Sequence, residues 1–121
     1  MTADTRIEDW DSYNAGLRDR GRELTGLHPE LMKGFGALSR GAATTRHLDA
    51  KTRELIALAV SVTTRCEGCI DAHTRKAKTA GATKEEIAEA LGVAIALNAG
   101  AALTYSLHVL DAVDGAEERR G

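Results

Sequence analysis

The sequence predicts an all-α fold, and three observations predict it. Alanine, the strongest helix former, is the commonest residue, at 21 of 121 positions. Proline occurs once, at Pro29, so almost nothing breaks a helix from within. Runs in which Val, Ile, Tyr or Thr alternate with polar residues, the mark of half-buried strands, are absent. Apolar residues recur instead at helical spacing, and five helices follow in order.

The first helix runs from Arg6 to about Leu24, with Ile7, Trp10, Leu17 and Leu24 loosely spaced along it. Most of its residues are charged, so it belongs on a surface, with Trp10 as its anchor. "TGLHP" closes it with a glycine and then a proline. Pro29 suits the first turn of a second helix, from about His28 to Ala43, with Leu31, Met32, Phe35 and Leu38 on one stripe. "SRGAATTRH" makes a linker. Asp49 is the N-cap of a third helix, which is apolar nearly all round through Leu55, Ile56, Leu58, Ala59 and Val62 and is therefore central. It ends near Val62, with "TTR" as the turn. The fourth helix begins near Cys66 and stops before Gly81, its basic residues Arg75, Lys76 and Lys78 gathered at the end where the helix dipole favours them. Thr83 and Glu86 form a capping box that opens a fifth helix reaching about Val113. The middle of that helix is smooth with Ala and Gly. Such a face lets another helix approach closely but buries little area alone.

The length fits one domain, residues 1–121, able to bury a core without disulfide staples. Sixteen basic against eighteen acidic residues leave a formal charge of −2, with no basic stripe to meet nucleic acid. The N-terminus is polar and lacks the apolar core of a signal peptide, and no apolar run is expected to approach the roughly 18 residues of a membrane span. The expectation is a cytoplasmic protein. Thiols stay reduced there, so a close cysteine pair is catalytic or metal-binding before it is structural.

Both cysteines lie in "ELIALAVSVTTRCEGCIDAH", Glu54 to His73. If the third helix ends near Val62 and the fourth doubles back, Glu54 and His73 each lie roughly 12 to 15 Å from the turn at about 1.5 Å rise per residue. They are then neighbours across the two helices. Cys66, Cys69 and His73 fall at i, i+3 and i+7, on one face. A thiol is a poor nucleophile until deprotonated, and a helix N-terminus and an imidazole both promote the thiolate. Glu54 orients His73 and raises its basicity, the arrangement of a base-assisted nucleophile. The second thiol can resolve a sulfenic acid into a disulfide.

Other chemistries compete for the same residues. Covalent haem attachment needs a histidine directly after the second cysteine, where this chain has Ile70. A structural zinc needs four ligands, and only Glu54 is at hand to complete Cys66, Cys69 and His73. The blandest reading has two small residues packing a helix start and His73 as a satisfied core histidine. The residues alone leave the zinc and packing readings open beside the redox one.

The pattern Glu54-x11-Cys66-x2-Cys69-x3-His73, set in "LDAKTRELIALAVSVTTRCEGCIDAHTRKAKTAGATKEEIAEAL", strongly resembles the carboxymuconolactone decarboxylase-like family in its alkyl hydroperoxidase D-like redox branch. The resemblance spans about residues 28 to 112. It implies an AhpD-like helical bundle of five to six helices, assembled as trimers or as hexamers of paired chains, with the hexamer favoured here. By matching positions it implies that Glu54 and His73 relay protons to Cys69 while Cys66 completes the disulfide, with no metal and no cofactor. Its implied partners are a small peroxide and a dithiol reductant, protein or lipoyl-type. Members that decarboxylate generally lack the cysteine pair. This chain departs from the best-known peroxidase of the branch at Gly68, where that protein has a relay histidine, and it reads "NAGAA" at Asn98–Ala102 where many relatives have a glycine-proline break.

The leading expectation is a thiol peroxidase or disulfide oxidoreductase acting on hydrogen peroxide or alkyl hydroperoxides. The alternatives are a lyase or isomerase on a carboxylated lactone, with His73 and Glu54 as acid and base, and a non-catalytic redox-sensing oligomer. Tyr105 and His108, three residues apart, line the site or contact a neighbouring helix or subunit. His28 is a cap or surface residue, His47 lies in the linker, and Arg65 beside Cys66 is solvated by default, the alternative being that it stabilises a thiolate.

Overall fold

The computed structural model describes residues 9–120, and these form five helices with no strand among them. They are α1 (Trp10–Leu27), α2 (Pro29–Ala43), α3 (Ala50–Thr64), α4 (Glu67–Thr79) and α5 (Lys84–Arg120). Arg6 and Ile7, expected at the start of the first helix, lie outside the described residues. The observed start is capped by Asp9, whose carboxylate accepts from the Ser12 N–H at 2.9 Å. At the other end α1 passes through Gly26 and stops at Leu27, beyond the expected Leu24. The stop belongs to Pro29, not to the glycine: its ring denies His28 the helical region, and His28 sits at φ −143°, ψ 73°.

Pro29 opens α2, and the linker shrinks to residues 44–49 because Ser39–Ala43 stay helical. The expected stripe on α2 is real, but the chain does not bury it: Leu31, Phe35 and Leu38 are all more than half exposed. Asp49 caps α3 through the Thr52 N–H at 2.7 Å. This helix runs past Val62 to Thr64, its last hydroxyls bonding back to the Ala59 and Val60 carbonyls. Arg65 then adopts the left-handed conformation at φ 55° and reverses the chain into α4. Cys66 is the N-cap of α4 and not its first residue. Gly81, at φ 89°, terminates the turn after α4, as a residue without a Cβ can.

The capping box forms as read: the Thr83 N–H donates to Glu86 at 3.0 Å and the Glu86 N–H to Thr83 Oγ1 at 3.1 Å. From there α5 continues unbroken through "NAGAA" and on to Arg120, past the expected Val113. Two ties hold it to α3. Lys51 pairs with Glu86 at 2.7 Å, and Asn98 Nδ2 donates to Thr63 Oγ1 at 2.9 Å. The same number of residues separates the two ties on each helix, so α3 and α5 run parallel with α4 as the return between them. α3 therefore sits at the centre, against both α4 and α5, while α1 packs on α2 and α4.

Where α3 ends, α5 has nothing left to lie on among the described residues. Every residue from Ile95 to Asp114 is exposed. Among the described residues the buried apolar side chains are Leu58, Ala77 and Ala94. One sequence expectation needs correcting at this point. α5 is long and apolar enough, by length and composition, to cross a membrane, with an 18-residue window of mean hydropathy 1.6. Ala90 to Leu110 contains no Asp, Glu, Lys or Arg. Small residues and scattered leucines make up this run, so it lacks the density of large apolar side chains that marks a span by eye.

Two carboxylates secure helix starts in a pH-dependent way. Lys51 and the Thr83 N–H hold the Glu86 carboxyl below its ordinary value, and the Thr52 N–H does the same for Asp49. A carboxyl depressed in the folded state adds stability above its unfolded value and loses it as pH falls through the folded one. The melting temperature should therefore drop as pH falls below about 4. Glu86→Gln should melt lower at neutral pH and show a shallower acid dependence by circular dichroism. An unchanged acid slope would show that this pair contributes nothing.

Candidate active site

The turn at Arg65 sets two helices side by side, and a buried carboxylate meets an imidazole between them. Glu54 lies on α3 with its residue only 4% exposed, a position that a charged group tolerates only with partners. Its Oε2 is 2.6 Å from Nδ1 of His73 on α4. Against a carboxylate, which accepts, a neutral imidazole donates from Nδ1 and keeps its lone pair on Nε2, the nitrogen then able to act as a base. Arg53 Nε approaches the other carboxylate oxygen at 3.4 Å. The juxtaposition of Glu54 and His73 is the one expected from the spacing.

Cys66 and Cys69 are joined as a disulfide, their Cα atoms 5.2 Å apart, and no cysteine is free. The Cys66 sulfur also caps α4, accepting from the Cys69 N–H at 3.2 Å. Cys69 lies one helical turn from His73, on the same face. Both cysteines are half-buried.

A cleft of about 390 Å3 brings these groups together. Glu54, His73 and Cys69 line it, and Cys66 does not. One wall is α3, through Ile56, Ala57, Val60, Ser61 and Thr64. α4 forms another, and Ser39, Ala42 and Ala43 of α2 close the side. The two sulfurs are thus inequivalent: Cys69 lines the cleft with the imidazole, while Cys66 stands at the helix start.

α1 braces α4 from outside. Asn14 donates to Asp71, Arg75 binds Asp11 at 2.9 Å, and Leu17 reaches Gly68. A Cβ placed on Gly68 would meet Leu17 Cδ1 at 2.9 Å, so the helix start is glycine where α1 presses against it. Trp10, expected as the anchor of this helix, is half-buried and stacks edge to face on Tyr13 of its own helix.

Other residues fall away from the site. Tyr105 and His108 stack on each other at 5.1 Å on the exposed half of α5, outside the cleft. His28 caps α2 by position without a side-chain bond, and His47 stays in the linker. Among the described residues, no group of three or more His, Cys, Asp and Glu side chains is placed to hold a metal ion. The sequence reading missed Arg53 and Lys76, which line the cleft. The signal for Lys76 was its place three residues beyond His73 on the same face, masked by its reading as a dipole-complementing charge.

A sequence profile of the carboxymuconolactone decarboxylase family matches residues 29–112. An uncharacterized protein of Haemophilus influenzae is 53% identical over 104 residues, covering 86% of this chain and 92% of that one. A protein of Paracoccus denitrificans, uncharacterized protein 4 in the cox locus, is 45% identical over 85 residues, covering 68% and 77%. Among solved structures, an apo carboxymuconolactone decarboxylase family protein from Legionella pneumophila superposes with a TM-score of 0.65 at 36% identity, over 81% of this chain and 88% of that one. A protein from Methanobacterium thermoautotrophicum does so with a TM-score of 0.62 at 32% identity, over 68% and 94%.

The Glu54–His73 contact has a stability consequence. His73→Ala strands a buried carboxylate with only the long Arg53 contact, and should cost about 2 kcal/mol by urea unfolding. Glu54→Gln keeps the shape and an acceptor and should cost less. Equal stability of His73→Ala and the parent chain would mean that the carboxylate is satisfied without the imidazole.

Proposed function

The chain belongs to the carboxymuconolactone decarboxylase family, and on that premise we propose that it is a thiol-dependent peroxidase of the cytoplasm. Its substrates are hydrogen peroxide or alkyl hydroperoxides, and a dithiol, protein or lipoyl-type, returns it to the reduced state. One observation carries the reading: Cys69, His73 and Glu54 line a single cleft, with Cys66 in disulfide reach of Cys69.

The cycle follows from these positions. In the reduced protein His73 Nε2 takes the Cys69 proton, and Glu54 stabilises the imidazolium through Nδ1. The thiolate attacks the terminal oxygen of the hydroperoxide. The O–O bond breaks, the departing alkoxide takes the proton from His73 and leaves as an alcohol, and Cys69 becomes a sulfenic acid, oxidised by two electrons. The Cys66 thiol attacks that sulfur, the S–O bond breaks, and the hydroxyl leaves as water with the Cys66 proton. The disulfide is the product. Exchange with a dithiol supplies two electrons and two protons and restores both thiols.

The exposed apolar faces support assembly as a second part of the proposal. Soluble monomers rarely leave contiguous apolar patches of this kind uncovered. Leu103, Leu107 and Leu110 on α5, with Leu31, Phe35 and Leu38 on α2, are all more than half exposed. A homo-oligomer covers them with copies of the same chain, a hexamer of paired chains in preference to a trimer.

Cys66→Ser and Cys69→Ser should each abolish multiple-turnover peroxide reduction. Cys66→Ser should still form a sulfenic acid that dimedone traps, and Cys69→Ser should not. Trapping in Cys69→Ser alone would reverse the roles. Glu54→Gln should slow the first oxidation about 10-fold or more, the loss of base assistance. A peroxide rate unchanged from pH 5 to 9 would remove Glu54 from the relay.

Ala96→Arg or Ala99→Arg, on the smooth face of α5, should dissociate the oligomer or stop it folding. Sedimentation showing a stable folded monomer of 12.9 kDa would contradict assembly. Flotation with lipid vesicles would instead make α5 a membrane segment.

A further inference from the structure

Two cations face the cleft, and the cycle just proposed uses neither. Arg53 and Lys76 line the cavity that holds Cys69 and His73, and both also line a neighbouring hollow of about 410 Å3 between the start of α3 and the end of α4. Nearby cations are committed to carboxylates: Lys51 to Glu86 at 2.7 Å, and Arg75 to Asp11 at 2.9 Å and Asp71 at 3.2 Å. Lys76 makes no ion pair among the described residues. The Arg53 fork is held by Thr45, to which Nη1 donates at 2.9 Å, and its contact with Glu54 is the single 3.4 Å approach of Nε. Its Nη2 makes no hydrogen bond among the described residues.

The cleft has two unlike ends. Along α4 the order is Cys69, His73, Lys76, which sets the lysine backbone about 10 Å from that of the cysteine at about 1.5 Å per residue. Arg53 joins Lys76 from the first turns of the opposing helix. Between the sulfur and the cations stand His73 and its partner Glu54, and beside them the cleft has apolar sides, Ala42 and Ala43 from α2 and Ile56, Ala57 and Val60 from α3. A volume of about 390 Å3 is that of a small-molecule site.

We propose that this cleft takes an apolar substrate with an anionic end, a medium-chain carboxylate bearing a hydroperoxide, and that Arg53 and Lys76 are its specificity-determining residues. The hydroperoxide end rests on the peroxidase reading. The anionic end rests on the cleft alone. The guanidinium offers planar donors to the carboxylate and the ammonium a mobile point charge, so the two hold an anion without fixing its depth. The apolar walls displace water from the body of the chain and bring the peroxide to Cys69.

Two measurements on the full chain separate this inference from the reading beneath it. The first compares kcat/KM for an ω-hydroperoxy medium-chain carboxylate with that for its methyl ester. The acid should be preferred about 10-fold at low salt, the size of one charge-assisted hydrogen bond, and the preference should fall toward unity in Lys76→Gln and Arg53→Gln. Turnover of both with no preference overturns the inference and leaves the peroxidase reading standing. The second is calorimetry on the oxidised protein with decanoate and with decanol, neither of which carries a peroxide. Decanoate should bind about 10-fold more tightly, less so in high salt, and Lys76→Gln should erase the difference. Equal affinity overturns the anionic site whatever the turnover assay gives. A decanoate preference without any peroxide turnover upholds the anionic site and overturns the peroxidase reading.

Discussion

A carboxylate removed from water must have a partner, and the bond between Glu54 and His73 is the constraint on which the rest of this structure depends. It fixes the register of α3 against α4. With that register set, Arg65 has to turn the chain within one residue, Cys66 falls at the N-cap, and Cys69 comes to rest a turn from the imidazole. α5, parallel to α3 and tied at both ends by Lys51–Glu86 and Thr63–Asn98, supports the helix that carries the carboxylate. α1 braces the helix that carries the imidazole. The bond engages Nδ1 of His73, and in the proposed cycle that leaves Nε2 to act as the base.

The same chain builds little else inside itself. Among the described residues three small or medium apolar side chains are buried, and a helix of alanine, glycine and leucine extends beyond the body. The proposed homo-oligomer would complete this packing with another close-approaching surface and not with large side chains. Site and surface are linked through α3: Ile56 and Val60 line the cleft and also the shallow groove that Val93 and Leu97 of α5 border. Whatever covers the groove presses on one wall of the cleft.

Local rules made much of this legible in the sequence. Asp49, the Thr83–Glu86 box and Pro29 act through neighbouring backbone groups, so their signals survive without knowledge of the tertiary structure. Glu54 and His73 were legible because a short turn leaves two helices no freedom but to run back alongside each other. What could not be read was set by long-range packing. The stripe on α2 reads as a buried face, yet Phe35 stays more than half exposed. The end of α5 carried no breaker, so helix propensity alone carried it to Arg120. Arg53 and Lys76 were hidden because an arginine and a lysine on helices are solvated by default, and only the cleft between α3 and α4 makes them neighbours.

A side chain at Gly68 would need the space that Leu17 occupies, so in the proposed cycle the proton path rests on the direct contact of Glu54 with His73. The central claim is that this contact makes Cys69 the reactive sulfur. It is tested most directly by the rate at which iodoacetamide alkylates each thiol of the reduced protein at neutral pH, read by peptide mass spectrometry. The account predicts that Cys69 reacts faster than Cys66 and faster than a free thiol, and that His73→Gln removes the advantage. Equal rates at the two cysteines, or a fast Cys69 untouched by His73→Gln, would contradict it.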